Sequence, residues 1–294
     1  MRIAITGASG FVGRHLVRVL SGKGHNLRLI VHRRRPQDDS DPSIEIVEGD
    51  VHNIDSLKKA FAGIDVVYHL VGLIVETKEQ TFEKTVAIGT AHVVEACLRC
   101  GVGRIIYLSA AGTSPSAEAK YHQSKWKAEE TVRNSGIDYV IFRPSVIFGE
   151  GDGFINMVVR MIEKYPVMPI VGDGKYQFQP VYIKDLASVM VDAPANVKAL
   201  HRTIEVGGPD RLEYMGILNI LKIKLNKKRA NIHLPFWLMM IIASILERIM
   251  KPAPLTRDQL LMLRSGNICD NSQLLDIFNI KLTGFEDGLR EYMR

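Results

Sequence analysis

Short apolar runs alternate with amphipathic stretches along the first half of the chain. Each run has the length of a buried β-strand, and between the runs the hydrophobic positions recur every three or four residues, as in a helix that packs on one face. The runs lie at residues 3–5, 26–31, 44–48, 65–70, 104–108 and 138–143. With helical patterns between them, including 56–61 and 81–99, this alternation predicts an α/β fold with a doubly wound parallel sheet.

The second half of the chain is less regular. Helical patterns occupy 154–163 and 214–225, extended chain at 176–183 leads into a helix, and 202–206 is a further short strand. Prolines and glycines mark 166–174 as irregular. We therefore predict a main domain over 1–150, with sheet additions from about 178–208, and a smaller C-terminal substrate lobe over 151–177 and 209–294.

The longest strongly apolar stretch, 234–246, is too short for the roughly 20 residues that a transmembrane helix needs. Helical spacing continues to Met250, with charged residues at the end of the stretch. Two interpretations stay open. The segment is either a helix that packs inside the substrate lobe or an interfacial helix that reaches a membrane or a quinone-type apolar substrate.

Three glycines with the spacing GxxGxxG follow the first apolar run and open the first helical pattern. A strand, a glycine turn and a helix in this order are typical of a dinucleotide site. Gly7 permits the tight turn, Gly10 lets the backbone approach a pyrophosphate, and Gly13 lets the helix pack closely, while the helix N-terminus presents free N–H groups to the phosphates. The cofactor-binding residues predicted here are Gly7, Ser9, Gly10, Phe11, Val12 and Gly13.

The second predicted strand ends in the basic run 32–35. In a dinucleotide fold this strand end meets the adenosine ribose, where an arginine favours the 2′-phosphate of NADP and a carboxylate favours NAD. No carboxylate occurs before Asp38, so NADP(H) is the preferred cofactor, with His32, Arg33 and Arg34 as its partners. A solvated basic loop with NAD(H) as the cofactor stays open as the alternative.

Tyr121 and Lys125 stand four residues apart on a predicted helix, so their side chains share one face. A phenol with a pKa of about 10 is a poor acid or base near neutrality, and a nearby ammonium lowers that pKa. The pair predicts a general acid/base, Tyr121, with Lys125 as the group that lowers its pKa and binds the nicotinamide ribose. A helical pair without chemistry is the alternative.

These motifs resemble the short-chain dehydrogenase/reductase superfamily in its extended or atypical branch. The similarity lies in Thr6-Gly-Ala-Ser-Gly-Phe-Val-Gly13, in Tyr121-x-x-x-Lys125 and in Arg143-Pro-x-x-x-Phe-Gly149. The resemblance implies a Rossmann-type fold, an adenine site after the third strand, a turn that covers the cofactor after the fourth, and a nicotinamide contact after the sixth. The residues that it implies for these roles are Asp50 and Val51, then Leu70, Val71 and Gly72, then Pro144 and Val146.

Two positions depart from the superfamily pattern. Val86 stands where members often have an asparagine that supports a proton-relay water, and Ala111 stands where the catalytic serine or threonine usually lies. Ser109 is the predicted substitute for the orienting hydroxyl, with Thr113 as the alternative. Both departures favour binding of the cofactor over turnover.

Three further segments are similar to a narrower branch, which contains the short-chain-dehydrogenase-like accessory subunit of respiratory complex I and its bacterial relatives. They are 179–185, 234–242 and 255–260. The leading expectation is an NADP(H)-dependent oxidoreductase, or a sugar-nucleotide epimerase/dehydratase-type enzyme, acting on a small molecule, with an apolar substrate left open. The alternative is a non-catalytic, cofactor-bound structural or assembly factor for a respiratory or other membrane complex, which it would contact through 234–250.

Composition and charge bear on whether the protein binds nucleic acid or a metal ion and on where it is located. A net charge of +6 over 294 residues is modest, so no nucleic-acid partner is predicted. Cys97 and Cys100 form a lone CxxC inside a helical pattern, so no metal site is predicted. With three cysteines and no targeting segment before the glycine motif, we expect a soluble cytoplasmic protein, with peripheral membrane contact left open.

Overall fold

A parallel sheet of seven strands organises the chain in the computed structural model, which describes residues 1–32 and 43–293. In chain order the strands are β1 (Arg2–Thr6), β2 (Asn26–Val31), β3 (Ile44–Glu48), β4 (Val66–His69), β5 (Arg104–Leu108), β6 (Asp138–Pro144), β7 (Ile147–Phe148), β8 (Val167–Val171), β9 (Gln177–Phe178), β10 (Val181–Tyr182), β11 (Arg202–Val206), β12 (Leu212–Glu213) and β13 (Ala230–Leu234). The central sheet has the order β11-β6-β5-β4-β1-β2-β3, and all its neighbouring strands are parallel. The order reverses at β1, and in such sheets ligands bind outside the carboxyl ends of the strands at this switch point.

Helices cover both faces of this sheet and also pack in the C-terminal part of the chain. They are α1 (Phe11–Ser21), α2 (Ile54–Phe61), α3 (Gly89–Cys100), α4 (Lys120–Arg133), α5 (Phe154–Lys164), α6 (Ile183–Asp192), α7 (Tyr214–Lys224), α8 (Phe236–Ile249), α9 (Arg257–Ser265), α10 (Ser272–Phe278) and α11 (Phe285–Tyr292). Side chains alternate across β1, so Ile3 and Ile5 pack with α1 and α6 while Ala4 packs with α2, α3 and α4. The predicted doubly wound α/β fold is confirmed.

The helix predicted over 81–99 is present, but its first half is not an α-helix. A π-helix, Phe82–Ile88, precedes α3, and the side chain of Thr81 caps its start by accepting from the Lys84 amide. The consecutive residues Thr85, Val86 and Ala87 are all buried, which the 3.6-residue period of an α-helix does not favour. Wider turns of this kind often occur at functional sites.

The stretch 166–174 is not irregular throughout, because it contains β8. This strand pairs in parallel with β13, about sixty residues later, and the two form a small separate sheet. Pro169 is tolerated there because a strand with a neighbour on one side has backbone groups that need no partner. The prolines and glycines of this stretch did not indicate a strand, because the strand with which it pairs is distant in sequence.

The C-terminal part of the chain divides between two cores. Helices α8 and α9 surround a small cluster of Val171, Met239, Ala243 and Leu260. Helices α10 and α11 return to the main core, where Leu274 and Phe285 are buried. The domain boundaries stay a prediction.

Two observations bear on the expectations about membrane-spanning segments and about the cysteines of the CxxC pattern. Over residues 1–32 and 43–293, no helix combines the length and apolar character needed to cross a bilayer. Cys97 and Cys100 both lie in α3, where Cys97 is buried and Cys100 donates to the Lys58 carbonyl.

Candidate cofactor site

The turn between β1 and α1 depends on backbone atoms that approach each other closely. Gly7 has a left-handed φ of 75°, and a Cβ there would lie 3.0 Å from the Leu70 carbonyl carbon. A Cβ on Gly13 would lie 2.3 Å from the Gly7 carbonyl oxygen and 2.6 Å from that of Ala8. Gly13 therefore lets α1 pack against the turn itself, where the sequence suggested the strand. Neither glycine position accepts a side chain unless the backbone moves.

The N-terminus of α1 has no side-chain cap. Gly10 is its N-cap residue, makes no side-chain hydrogen bond, and no acidic residue occupies the first turn. The amides of Phe11, Val12 and Gly13 have no intrahelical acceptor at this helix start, and the helix dipole adds partial positive charge. A helix start of this kind after a parallel strand is a site for a pyrophosphate.

His69 is a residue that the sequence analysis missed. It ends β4, is fully buried, and its ring nitrogens lie 2.7 Å from the Thr6 hydroxyl and 3.0 Å from the Thr90 hydroxyl. The imidazole also stacks on Tyr107, with ring centroids 5.5 Å apart. Burial lowers the pKa of His69 to about 3, so the ring is neutral and joins the end of β1 to α3. A histidine in an otherwise apolar strand was the available signal.

The predicted adenine end is held together by polar contacts. The Asp50 carboxylate accepts from the His52 amide at 2.9 Å and lies 3.5 Å from Nδ1 of His32. Val51 packs on Gly89, where a Cβ would lie 3.1 Å from it, and its carbonyl lies 2.8 Å from Nδ1 of His92. The other two predicted partners of the 2′-phosphate, Arg33 and Arg34, lie outside the described residues.

Lys125 reaches from α4 to the carboxyl ends of the central strands. Its ammonium donates to the Leu108 carbonyl at 2.8 Å and lies 4.9 Å from the centroid of the Tyr107 ring. A Cβ on Gly72 would lie 3.8 Å from the same nitrogen. The structure thus brings Lys125 together with the segment of Leu70, Val71 and Gly72, which Leu70 joins to β1 by donating to the Thr6 carbonyl.

Tyr121 is buried one turn earlier on α4, against the rings of Phe82 and His122. Burial raises the pKa of Tyr121, and Lys125 does not offset this effect. Burial also lowers the pKa of Lys125 to about 8, although Glu129 opposes this shift. The ammonium is directed to the Leu108 carbonyl, and the role of Lys125 in lowering the pKa of Tyr121 stays a prediction.

The hydroxyls near this pair are those predicted as substitutes. Ser109 and Thr113 are both buried, and their oxygens lie 3.4 Å apart. Ala111 is fully buried between them in sequence and donates its amide to the Pro144 carbonyl at 2.8 Å. A methyl group thus occupies the place of an orienting hydroxyl, and Ser109 directly follows the carbonyl that Lys125 contacts.

Comparison with known proteins assigns this arrangement to a family. Residues 3–207 match the model of the NAD dependent epimerase/dehydratase family, which is more than half of the chain. The chain belongs to the NAD dependent epimerase/dehydratase family. The predicted resemblance to extended short-chain dehydrogenases/reductases is confirmed by this match and by the relatives described next.

Two curated relatives and one solved structure illustrate the range of similarity. An Arabidopsis thaliana protein named NADH dehydrogenase [ubiquinone] 1 alpha subcomplex subunit 9, mitochondrial, is 28% identical over 96% of this chain and 75% of its own length. Ceramide reductase of Caulobacter vibrioides is 32% identical over 64% of this chain, but the match spans only 59% of that protein. UDP-glucuronic acid 4-epimerase from Bacillus cereus, solved with UDP-glucuronic acid and NAD, superposes with a TM-score of 0.76 at 23% identity over 99% and 97% of the two chains. The last likeness shows the fold alone.

The residues present fit the dinucleotide for which the epimerase/dehydratase family is named. The fit rests on the turn in which Gly13 leaves no room for a Cβ and on the uncapped start of α1. Pro144 and Val146 continue from β6, and the Val146 carbonyl accepts from Val181 at 2.9 Å, which places the predicted nicotinamide contacts beside β10. Within the described ranges, no group of three His, Cys, Asp or Glu side chains could hold a metal ion.

A second residue that the sequence analysis missed supports α4 from the C-terminal lobe. The Asp258 carboxylate accepts from the backbone amides of Lys120 at 2.7 Å and Tyr121 at 3.2 Å. Asp258 lies in the first turn of α9, which begins with a capping box of Thr256 and Gln259. The spacing of that box was readable from the sequence, but the contact with α4 was not.

Proposed function

We propose that the protein is an NADP(H)-dependent oxidoreductase in which Tyr121 exchanges a proton with the oxygen of a small, apolar carbonyl or alcohol substrate. The observation that carries the proposal is the placement of Tyr121 and Lys125 on one face of α4, beside the carboxyl ends of β4 and β5. When bound, the cofactor supplies or takes up the hydride. In the reducing direction Tyr121 would donate its phenolic proton to the carbonyl oxygen, which becomes the hydroxyl of the product alcohol, and the phenolate would take a proton back from solvent.

The protonation state of Tyr121 supports the reducing direction. Burial raises its pKa, so the phenol is protonated at neutral pH, and the protonated form is the one that can donate to a developing alkoxide. Lys125, with a pKa of about 8, is mostly protonated at pH 7 and can donate to ribose hydroxyls. Ser109 is the proposed hydrogen-bond donor that orients the substrate oxygen, because it is the hydroxyl next to the Leu108–Lys125 contact.

NADP(H) is preferred in this proposal over NAD(H). The Asp50 carboxylate is engaged by His32 and the His52 amide, and no acidic residue occurs between the end of β2 and Asp38. Arg33 and Arg34 follow His32 directly in the sequence and supply the cations that a 2′-phosphate requires. An Arg33→Asp, Arg34→Asp variant should weaken NADPH binding at least about tenfold and leave NADH binding within about twofold. Equal loss for both nucleotides would contradict the preference.

The substrate class is proposed from the names of the relatives. The Caulobacter relative is named a ceramide reductase, which makes a lipid carbonyl a reasonable first substrate to assay. Family members also include epimerases and dehydratases, in which the same tyrosine and lysine positions would serve transient hydride transfer. Assays should therefore compare apolar ketones with UDP-sugars, and turnover of UDP-sugars alone would move the proposal to the epimerase/dehydratase type.

The proposal is tested by cofactor titration and turnover with matched variants. Tyr121→Phe should keep the NADPH dissociation constant within about threefold and lower kcat by about a hundredfold or more, because the proton donor is removed. Tyr165→Phe, at an exposed tyrosine that directly follows α5, is the control and should match the parent protein. Full activity in Tyr121→Phe would overturn the proposed role.

A second function has specific support. Val86 and Ala111, both buried, replace the polar side chains that turnover usually requires in this superfamily, and the Arabidopsis relative is named as a subunit of NADH dehydrogenase. The alternative proposal is therefore a cofactor-bound structural or assembly factor for a respiratory complex. In that case Tyr121→Phe retains biological activity in a complementation assay, whereas Gly13→Ala, which removes the cofactor site, does not.

A further inference from the structure

Helix α8 presents apolar side chains to solvent along its whole length. Of its fourteen residues only Met239 and Ala243 are buried. Trp237, Ile241, Ile245 and Ile249 follow one another at intervals of four and are 65%, 50%, 50% and 75% exposed. Residues at this spacing lie on one side of a helix, so α8 carries an exposed apolar stripe rather than scattered single residues.

The neighbouring positions extend this stripe. Ile242, at 36% exposure, lies on its flank, and Met250 follows the helix with 46% of its surface exposed. Arg248 is the single charged residue that faces the same side, because Glu247 turns to α9 and pairs with Arg257 at 2.8 Å. We call the exposed side chains of Trp237, Ile241, Ile242, Ile245 and Ile249 the α8 stripe.

The excess of basic residues in the chain lies in the sequence segment that contains this helix. Residues 222–264 contain nine Lys and Arg and two acidic residues, whereas the rest of the chain contains 29 basic and 30 acidic residues. Both acidic residues of the segment are engaged inside the protein, Glu247 with Arg257 and Asp258 with the start of α4. Two of the basic residues are paired, Arg257 with Glu247 and Arg264 with Glu118, and the segment keeps an excess of positive charge next to the apolar stripe.

We propose that the α8 stripe docks on an anionic lipid bilayer, with α8 lying in the plane of the interface. A helix of fourteen residues is about 21 Å long, and the hydrocarbon core of a bilayer is about 30 Å thick, so α8 is too short to cross it. An apolar face flanked by basic residues is the pattern of helices that lie at the headgroup boundary. Tryptophan suits that boundary because its ring is apolar and its indole N–H can meet headgroups or water. The docking does not require the enzymatic proposal.

The choice of a lipid surface over a second copy of the chain rests on charge. A self-association through this face would bring two segments of net +7 together, which electrostatic repulsion opposes. Anionic headgroups instead attract and neutralise the basic residues near the surface. The charge pattern thus favours a bilayer as the occupant.

Trp237 provides a direct probe of the docking. The chain has two tryptophans, so a Trp126→Phe variant leaves Trp237 as the reporter. Vesicles of phosphatidylcholine with 30 mol% phosphatidylglycerol should shift the emission of Trp237 to the blue, and brominated acyl chains should quench it. Binding to these vesicles should exceed binding to pure phosphatidylcholine at least about tenfold and should weaken in high salt.

Paired substitutions distinguish binding through the α8 stripe from nonspecific binding of exposed apolar residues to vesicles. Ile241→Ser with Ile245→Ser should reduce vesicle partitioning at least about tenfold, because two half-exposed side chains lose their apolar contact. Val197→Ser, at a residue that is 80% exposed but lies away from α8 in a 3-10 turn, should bind as the parent protein does. The circular dichroism spectrum and the thermal unfolding midpoint serve as the check that each variant is folded.

Three results would overturn the proposal. They are the absence of anionic-vesicle binding, an emission of Trp237 that vesicles leave unchanged, and a dimer in sedimentation velocity that Ile241→Ser with Ile245→Ser dissolves. The last result would assign the stripe to self-association. Failure of the enzymatic proposal would leave vesicle binding intact, so the two failures are distinguishable.

Discussion

The carboxylate of Asp258 accepts hydrogen bonds from the first backbone amides of the helix that carries Tyr121, including that of Tyr121 itself at 3.2 Å. These residues are 137 positions apart, and α4 has no side-chain cap of its own, because its N-cap residue is Ala119. Asp258 also stands in the first turn of α9. One carboxylate therefore meets the positive ends of two helices and joins the C-terminal lobe to the proposed acid/base.

Removing this carboxylate should disturb Tyr121 without emptying the cofactor site. We expect Asp258→Ala to lower the free energy of unfolding by about 1–2 kcal/mol, as loss of a helix cap does. We also expect kcat to fall while the NADPH dissociation constant changes less than about threefold, because the glycine turn is remote from α9. Urea unfolding and steady-state kinetics measure the two effects.

The control for this prediction is Asp287→Asn. Asp287 also lies in the first turn of a helix, α11, but it is exposed and pairs only with the neighbouring Arg290. An exposed pair of this kind contributes little, so both stability and kcat should stay near the parent values. If Asp258→Ala lowers stability but leaves kcat unchanged, its effect on Tyr121 is structural only.

Gly13→Ala should damage both folding and cofactor binding. The added Cβ would lie 2.3 Å from a backbone carbonyl oxygen, and backbone cannot give way as a flexible side chain can. We expect a loss of about 1–3 kcal/mol in the free energy of unfolding, typical of overpacking, and a large loss of NADPH affinity. Thermal unfolding with and without NADPH measures both.

Gly216→Ala tests the same change at a helical glycine with open space around it. No heavy atom lies within 4 Å of a Cβ at Gly216, which is in α7. Because alanine favours the helix, this variant should be as stable as the parent or more stable by up to about 1 kcal/mol. If Gly13→Ala and Gly216→Ala lowered the free energy of unfolding by similar amounts, the helix propensity scale would fail here. The close packing at the glycine turn would then not be the cause of the loss in Gly13→Ala.

Acid should destabilise the protein through His69. Its pKa is about 3 in the folded protein and 6.5 in an unfolded chain, so between these values only the unfolded state binds the proton. The free energy of unfolding therefore falls by about 1.4 kcal/mol per pH unit as the pH drops below 6.5 on account of this residue. His122, with a pKa lowered to about 4 by burial, adds to the slope in the same direction.

Urea titrations at several pH values measure this slope. His69→Gln should reduce the slope of the unfolding free energy against pH by the contribution of one proton, whatever its effect on stability at pH 7. His52→Gln, at an exposed histidine, should leave this slope unchanged. An unaltered slope in His69→Gln would mean that His69 is accessible to protons in the folded state.

The sequence was sufficient to predict those structural features that depend on residues close together in the chain. Alternation of apolar runs located the strands of the central sheet, and the glycines of the first turn were identifiable because Gly7 and Gly13 act within a few residues of each other. Contacts between distant segments were not predictable in this way. The pairing of β8 with β13, the capping of α4 by Asp258 and the burial of His69 between Thr6 and Thr90 each need the folded chain.

The direction in which a side chain points could not be predicted from the sequence either. Spacing correctly placed Tyr121 and Lys125 on one helix, but it could not show that the ammonium donates to the Leu108 carbonyl and so leaves the phenol with a raised pKa. The π-helix before α3 is a similar case, because its wider turn accompanies the burial of three successive side chains that no local pattern specifies.

The missing hydroxyl at Ala111 allows a rescue experiment on Ser109. If Ser109 orients the substrate oxygen, Ser109→Ala should lower kcat by about tenfold or more, since one donor to the reacting oxygen is lost. Ser116→Ala, at an exposed hydroxyl in the following loop, is the matched control and should not change kcat. Ala111→Ser placed in the Ser109→Ala background restores a hydroxyl at the position that the superfamily uses, so kcat should recover in part. Recovery in that double variant argues that a donor is needed and that the site is catalytic. No loss in Ser109→Ala, with the parent protein active, would instead assign the role to Thr113, whose oxygen lies 3.4 Å away.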